Sequence, residues 1–161
     1  MKTLEKEFVE IIQENERLIY KVCSFYVSET FPMADLYQEV VHNLWVGFPK
    51  FRNESSISTW IYKIAINTCV SGIRKEKKHP KGNVPASSLS EWLIEPESLT
   101  DEIREMYRLI NKLRTLEKTI VLLWLEEKSY QEIAEITGIT LSNVATKLKR
   151  AKQKLKEMSN Y

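Results

Sequence analysis

Residues 129–151 read SYQEIAEITGITLSNVATKLKRA, and this stretch decides the fold of the C-terminal part of the chain. Ser129 and Glu132 have the spacing of a capping box, which opens a first helix. Gly138 supplies the left-handed backbone conformation that ends a helix tightly. Thr140 is a residue type that caps a following helix. The order and spacing of these signals predict two helices joined by a short turn.

The side chains of this helix pair divide into a buried seam and a basic surface. The expected seam consists of Ile133, Ile139, Val144 and Leu148. The second helix then carries six cations and no acid within residues 147–156. Such a pair is typical of a helix-turn-helix, whose second helix enters the major groove of DNA while cations meet the phosphates. The alternative is a solvated helical hairpin with a basic tail.

Composition bounds the class of the whole protein. The 161 residues are 43% hydrophobic, which is enough for a core. No segment approaches the roughly 18 consecutive apolar residues of a membrane span, so we expect no membrane insertion. The N-terminus lacks the apolar core of a signal peptide, and Cys23 and Cys69 lack CxxC spacing. These features predict a cytoplasmic protein with reduced thiols.

Charge is segregated along the chain although the net charge is only +2. Residues 1–49 carry 4 basic and 8 acidic side chains, and residues 83–111 carry 2 and 6. Residues 50–82 carry 8 basic and 2 acidic side chains, and residues 112–161 carry 10 and 6. The two positive blocks predict two separate nucleic-acid footprints. The acidic blocks suit a protein partner or the solvent-facing surface.

The pattern of apolar residues predicts an all-α protein. Helical spacing recurs over residues 4–27, which form one or two amphipathic helices, and over residues 34–48, 57–74, 100–111 and 115–126, ahead of the motif pair. The apolar stripe of the first segment consists of Leu4, Phe8, Ile11, Ile12, Leu18, Ile19, Val22 and Phe25, and that of the second consists of Leu36, Val40, Leu44 and Phe48. Residues 79–99 hold three of the five prolines and are typical of a linker. We therefore expect two small helical domains, residues 1–78 and 100–161, joined by this linker, with the helix-turn-helix in the second.

The helix expected over residues 57–74 has two faces. Ile61, Ile64 and Ala65 share the inward face, and Trp60 is expected to belong to the core. A second stripe at i, i+4 spacing consists of Thr59, Lys63, Asn67, Ser71 and Arg74. Hydroxyls, an amide and cations on one strip suit a nucleic-acid backbone and splayed bases. A solvated helix face explains the same stripe equally well.

The sequence gives no pattern typical of catalysis or metal binding. Its two histidines, His42 and His79, lie far apart and without metal-ligand or carboxylate-cluster spacing. We expect neither a cofactor nor a bound metal, and a DNA-acting enzyme is disfavoured.

Three stretches, taken in order, resemble a known family. They are DLYQE at residues 35–39, FRNESSISTWIYKIAINT at residues 51–68, and the motif pair at residues 129–151. Over roughly residues 5–76 and 100–157 the chain resembles bacterial RNA polymerase sigma factors of the extracytoplasmic-function group. The resemblance implies that residues 1–78 bind core polymerase and melt the promoter −10 element, and that residues 100–161 recognise the −35 element.

The resemblance also implies roles for individual residues. The resemblance assigns docking on a coiled coil of the largest polymerase subunit to Asp35, Gln38 and Glu39. Contacts to the −10 element fall to Arg52, Asn53, Ser55 and Ser58 of a base-pocketing loop and to Lys63, Asn67 and Arg74 on the helix. The positions that face −35 base edges are Ser142, Asn143, Ala145 and Thr146. Contacts to phosphates or to sequence-specific acceptors are assigned to Lys147, Lys149, Arg150 and Lys152.

Two residues depart from the family pattern. Arg114 stands where the family usually has proline before a helix, and Ala145 stands where a basic residue is usual. Ala145 offers only apolar contact to a thymine methyl group. Asn143 suits pairing with adenine and equally suits an ordinary first helical turn.

The function implied by the resemblance is that of a dissociable sigma factor, which directs RNA polymerase core to specific promoters and assists DNA melting. The implied partners are the core enzyme, promoter DNA and an anti-sigma factor. The alternative is a polymerase-independent helix-turn-helix repressor or activator. The basic strip on residues 59–74 and the acidic helix at residues 35–39 argue against that alternative.

Overall fold

The computed structural model describes the backbone of residues 3–78 and 100–159, and the side chains of residues 3–72 and 100–159. Over these ranges the chain forms eight α-helices and one 3-10 turn, and no strand, which agrees with the predicted all-α class. It divides into two compact units, Met1–Leu93 and Ile94–Tyr161. The linker predicted for residues 79–99 lies outside the described residues, and the predicted domain boundaries stay a prediction. Among the described helices, none has both the length and the apolar character needed to cross a bilayer.

Four helices build the first unit: α1 (Leu4–Glu14), α2 (Glu16–Ser24), α3 (Met33–Gly47) and α4 (Ile57–Lys78), with a 3-10 turn at Phe48–Lys50. Helices α2, α3 and α4 pack on one another, and α1 packs on α2. The centre of this core is fully buried and consists of Ile19, Leu36, Val40, Leu44, Ile61 and Ala65. These residues belong to the apolar stripes that the sequence predicts.

The predicted N-terminal amphipathic segment is two helices that break at Asn15. The Asn15 side chain donates to the carbonyl of Ile11 at 2.8 Å, and this bond ends α1. Only half of the predicted apolar stripe is buried, namely Phe8, Ile19, Val22 and Phe25. Ile11, Ile12 and Leu18 are half-buried, and Leu4 is exposed. Because the segment forms two helices that meet at Asn15, its apolar residues do not belong to one continuous helical stripe.

Helix α4 begins where the Ser56 hydroxyl accepts the backbone N–H of Thr59 at 3.2 Å, as an N-cap does. It runs to Lys78, four residues beyond the predicted end at Arg74. Thr59 corrects the predicted polar strip, because it is only 2% exposed and its hydroxyl accepts a bond from Ser56 at 3.0 Å. Ile64, expected inside, is half-buried.

The second unit consists of α5 (Asp101–Ile110), α6 (Thr115–Leu125), α7 (Tyr130–Thr137) and α8 (Leu141–Ser159). The predicted capping box of Ser129 and Glu132 is present with both hydrogen bonds. Gly138 has a φ of 78°, and the Thr140 hydroxyl accepts the N–H of Asn143 at 3.1 Å. The motif pair is therefore confirmed from cap to cap. The seam is buried at Ile133, Val144 and Leu148 but only half-buried at Ile139, which lies in the turn.

The turn between α6 and α7 places a non-glycine residue in the left-handed region. Glu127 has a φ of 63°, and the N–H of Lys128 donates to the carbonyl of Leu123 at 3.1 Å. This six-residue closure is the Schellman arrangement that usually holds glycine at the left-handed position. The turn sets the entry of the chain into α7, so the strained residue sits at the start of the helix-turn-helix.

We expect Glu127→Gly to stabilise the protein by about 0.5–1 kcal/mol, because glycine adopts this conformation without a Cβ clash. Gly138→Ala is the reverse change, because it adds a Cβ to a residue in the left-handed conformation. It should lower the free energy of unfolding by at least about 1 kcal/mol. Urea unfolding of the full chain measures both. Destabilisation by Glu127→Gly would contradict the assignment of strain to this turn.

Candidate protein and nucleic-acid interfaces

The three residues predicted to dock on a protein partner lie together on the outer edge of α3. Asp35, Gln38 and Glu39 are all exposed at i, i+3 and i+4 positions of the helix. They line a depression of about 510 Å³ together with Thr30, Phe31 and His42. The opposite face of α3 is fully buried, so the orientation of this edge is fixed by the core.

Tyr37 lies between the docking residues in sequence and anchors α3 to α2. Its ring stacks on Tyr20 with centroids 4.3 Å apart and an interplanar angle of 23°. Burial, with smaller contributions from the nearby Glu16 and Tyr20, raises the pKa of Tyr37 to about 12. The phenol is therefore neutral near pH 7 and serves as an aromatic packing surface.

Phe31 forms one wall of the depression and rests on α4. A tight turn holds it, in which the Phe31 N–H donates to the Ser28 hydroxyl at 3.0 Å and the Ser28 N–H donates to the Phe31 carbonyl at 3.2 Å. A Cβ added to Gly72 would lie 3.0 Å from Phe31 Cδ2 and 3.1 Å from Cε2. Glycine at position 72 therefore permits the close approach of this loop to α4. Neither residue was singled out from the sequence.

The contact between Phe31 and Gly72 can be tested against a second helical glycine in the same unit. Gly72→Ala should lower stability by about 1–2 kcal/mol. The energy needed to displace Phe31 exceeds the stabilisation that the higher helix propensity of alanine provides. At Gly47 the added Cβ would meet Ile64 Cδ1 at 3.4 Å and Trp60 Cζ2 at 3.7 Å, which are ordinary contacts. Gly47→Ala should therefore be neutral or mildly stabilising in urea unfolding.

A double variant separates this steric effect from any other role of the glycine. In a Phe31→Ala background the obstacle is absent, so Gly72→Ala should no longer destabilise. An equal loss in both backgrounds would show that Phe31 is not what Gly72 accommodates.

The predicted −10 strip is an exposed face of α4. Lys63, Asn67 and Ser71 are exposed, while Ile61, Ala65 and Thr68 on the other face are buried. Thr68 also accepts a hydrogen bond from Asn43 Nδ2 of α3 at 2.9 Å. Arg74 lies on the backbone of α4, but its side chain falls outside the described residues. The structure brings Lys63 and Asn67 together at i, i+4 spacing, as predicted.

The loop that precedes α4 has a defined shape. Arg52 and Asn53 are exposed, and Asn53 has a φ of 58°, a conformation that asparagine tolerates better than most residues. Ser55 and Ser58 are half-buried. The Ser55 hydroxyl donates to the carbonyl of Ser56 at 3.3 Å, and the hydroxyls of Ser56 and Ser58 share a hydrogen bond at 3.2 Å. The serines therefore shape the loop, while Arg52 and Asn53 face solvent.

Aromatic packing anchors this loop to the core. Trp60 lies with its ring centroid 4.9 Å from that of Phe51 and 6.1 Å from that of Phe48. Trp60 was expected to belong to the core, and the structure places it half-buried at the edge of that core. The two ends of residues 51–60 are thereby tied to one aromatic cluster, which limits the conformations open to the loop.

The predicted base-facing residues lie at the solvent-exposed start of α8. Ser142, Asn143, Ala145 and Thr146 are all exposed. The Thr146 hydroxyl donates to the carbonyl of Ser142 at 3.1 Å, which leaves its oxygen as an acceptor for an outside donor. The structure therefore presents a short polar surface with one apolar position, Ala145, at the helix start.

The cations of α8 occupy different environments. Lys149 and Arg150 are exposed, and Lys147 is half-buried beside the seam. Lys154, at the other end of the run, pairs with Glu117 of α6 at 2.9 Å. Lys152 is exposed, but its Nζ lies 3.9 Å from the centroid of the Trp124 ring, also on α6. Neither α6 partner was predicted from the sequence, because both contacts join distant segments.

Two family models match the chain. The model described as Sigma-70 region 2 matches residues 11–79, and the model described as Sigma-70, region 4 matches residues 103–155. The first match spans most of the first helical unit and the second spans most of α5 to α8.

Curated relatives match along most of their length. The chain is 28% identical over 150 residues to the RNA polymerase sigma factor SigV of Bacillus subtilis (strain 168), covering 92% of this chain and 89% of that protein. It is 34% identical over 132 residues to the RNA polymerase sigma factor YlaC of the same strain, covering 76% and 75%. It is 27% identical over 166 residues to the ECF RNA polymerase sigma factor SigW of that strain, covering 93% and 87%.

A solved structure shares the fold. The sigma factor RpoE from Bartonella quintana, crystallised with the anti-sigma factor NepR, superposes with a TM-score of 0.78 at 18% identity. The superposition covers 96% of this chain and 98% of that chain. At this identity the likeness establishes the fold.

Proposed function

Because this chain belongs to the sigma-70 family of RNA polymerase sigma factors, in its extracytoplasmic-function group, we propose that its two helical units divide promoter recognition between them. As a sigma factor it is a dissociable subunit that binds core RNA polymerase and promoter DNA and directs the polymerase to promoters. Within that activity, residues 1–78 bind the core enzyme and assist melting of the −10 element. Residues 100–161 recognise the −35 element, and residues 79–99 link the two.

One observation carries this proposal. Among the described side chains matched to the family, all but the half-buried Ser55, Ser58 and Lys147 are exposed, and the helix faces that carry them are backed by buried apolar faces. The edge of α3, the strip of α4 and the start of α8 are therefore open to partners while the core behind them is complete. The family membership decides against the polymerase-independent repressor or activator.

The edge of α3 is proposed to dock on the core enzyme. Asp35, Gln38 and Glu39 present two carboxylates and an amide on one side of the helix, which suits a basic partner helix. Phe31 and His42 flank them in the depression. The rigid backing of α3 means that docking requires little reorganisation of the sigma factor.

Charge reversal tests the docking edge. Asp35→Lys with Glu39→Lys should lower affinity for core polymerase by at least about a hundredfold, since two attractive contacts become repulsive. Glu7→Lys with Glu14→Lys makes the same charge change on exposed positions of α1 and should leave binding nearly unchanged. Co-purification and a binding titration with core enzyme measure the effect, and circular dichroism checks the fold. Equal losses from both pairs would place docking elsewhere.

The loop and strip at the start of α4 are proposed to hold the melted −10 strand. Arg52, Asn53, Ser55 and Ser58 would form the pocket for a flipped base, and Lys63, Asn67 and Arg74 would follow the strand beyond it. Unstacking a base costs a few kcal/mol, which pocketing and stacking of the extruded base can offset. No nucleotide hydrolysis is required of this subunit, and the polymerase supplies the catalysis.

Substituting Lys63 and Asn67 together with alanine should block promoter opening while leaving duplex binding by the second unit nearly unchanged. Permanganate reactivity of thymines in the −10 region reports opening, and a gel-shift assay of the holoenzyme reports binding. A template with a pre-melted bubble should partly restore transcription, because the cost of strand separation is then already met. Full opening by the double variant would reduce this strip to a solvated helix face.

The start of α8 is proposed to read the −35 element. Ser142, Asn143 and Thr146 would reach base edges, and Ala145 would meet a thymine methyl group. The flanking cations Lys147, Lys149, Arg150 and Lys152 would contact phosphates along the groove walls. In this arrangement the start of α8 would make the sequence-specific contacts, and the basic run would supply most of the affinity.

We also propose an anti-sigma factor as a regulatory partner and the cytoplasm as the place of action. Two solved neighbours are complexes: the Bartonella quintana RpoE is bound to the anti-sigma factor NepR, and CnrH is bound to the cytosolic domain of CnrY. A partner that covers the α3 edge would exclude core polymerase by direct competition. The chain itself is proposed to have no catalytic activity, in keeping with a family that is not a class of enzymes.

A further inference from the structure

Trp124 and Lys152 form a cation–π pair on the same surface as the proposed −35 contacts. The Lys152 ammonium lies 3.9 Å from the centroid of the indole ring. Trp124 is 38% exposed, so its side chain lies at the protein surface. The pair joins α6 to α8, two helices that pack against each other.

The position of Lys152 on α8 places this pair at the edge of the DNA-facing surface. At about 100° per residue, Lys152 falls within about 20° of Ala145 and about 60° of Lys149 around the helix. It lies about 10 Å beyond Ala145 along the axis. A helix whose start reads base edges in the major groove directs such a flank toward the phosphates of the groove wall.

We infer that Trp124 is a positioning residue of the −35 interface, which holds the Lys152 ammonium in place for a DNA backbone phosphate. A free lysine side chain has many rotamers and loses them when it binds. The ring face attracts the ammonium and restricts its stem before DNA arrives. The three N–H donors of the ammonium are directed around it, so the side away from the ring remains available to a phosphate oxygen.

Lys154 supplies the contrast within the same run. It lies about 160° from Lys152 around α8 and pairs with Glu117, a carboxylate whose side chain is only 11% exposed. The charge of Lys154 is paired with a carboxylate of the protein, whereas Lys152 rests on a neutral ring that leaves its charge uncompensated. The basic run thus contains one lysine bound to an acid and one lysine oriented by an aromatic ring.

A substitution that removes no charge tests the inference, which rests on the proposed −35 contacts. Holoenzymes carrying Trp124→Leu, Trp124→Phe, Lys152→Ala or the double change Trp124→Leu with Lys152→Ala are titrated with promoter duplex across a salt series. Lys152→Ala should flatten the slope of log affinity against log salt by about 0.9. Trp124→Leu should flatten it in the same direction, and the double variant should fall no further than Lys152→Ala.

Trp124→Phe keeps a ring face and should retain most of the parent slope, which a purely structural loss of the indole would not allow. Lys149→Ala is the control for the interface itself. If Lys149→Ala and Lys152→Ala both leave the slope unchanged, the proposed −35 contacts fail. If they flatten it and Trp124→Leu leaves it unchanged, only the inference about Trp124 fails. An increase in affinity with Trp124→Leu would also overturn it, since the ring would then withhold Lys152 from DNA.

Discussion

The packing of α3 against α4 is the constraint on which the first helical unit depends. Leu36, Val40 and Leu44 of α3 are at most 1% exposed, and Ile61 and Ala65 of α4 are fully buried. Removing one such side chain typically costs about 2–5 kcal/mol, a large part of the stability of a small domain. Neither helix can rotate without exposing this core. The edge of α3 proposed for the polymerase and the strip of α4 proposed for DNA therefore keep a fixed relation to each other.

A hydrogen bond between α3 and α4 fixes the alignment of the two helices along each other. Asn43 Nδ2 donates to the Thr68 hydroxyl at 2.9 Å, and the same hydroxyl donates to the carbonyl of Ile64 at 2.7 Å. Such a bond contributes only about 1 kcal/mol net, but leaving its groups unpaired in a partly buried site costs about 1–3 kcal/mol. Sliding of one helix along the other would break it. Apolar contacts set how strongly α3 and α4 associate, and this bond favours one alignment among several of similar burial.

Features that depend on near neighbours were predictable from the sequence, and features that join distant segments were not. The capping box at Ser129, the left-handed Gly138 and the cap at Thr140 involve residues at most four apart, and all three are present. Thr59 was wrongly placed on an exposed strip, because its spacing matches that strip while the Ser56 cap and the core bury it. The contact of Phe31 with Gly72 depends on how a loop lies across a helix, which periodicity does not encode.

The same distinction limits what a count of charges says about DNA binding. Residues 147–156 hold six cations, and a simple count would assign each of them a phosphate. Lys154 pairs with the nearly buried Glu117. If Lys154 bound a phosphate instead, the Glu117 carboxylate would lose its partner in a site with little water, which is unfavourable. On the proposed interface, we therefore expect Lys154 to contribute less to the DNA affinity than an exposed residue such as Arg150. On the proposed −35 interface, the basic run would act through the cations whose charge the protein leaves uncompensated, and contacts with α6 determine which lysines these are.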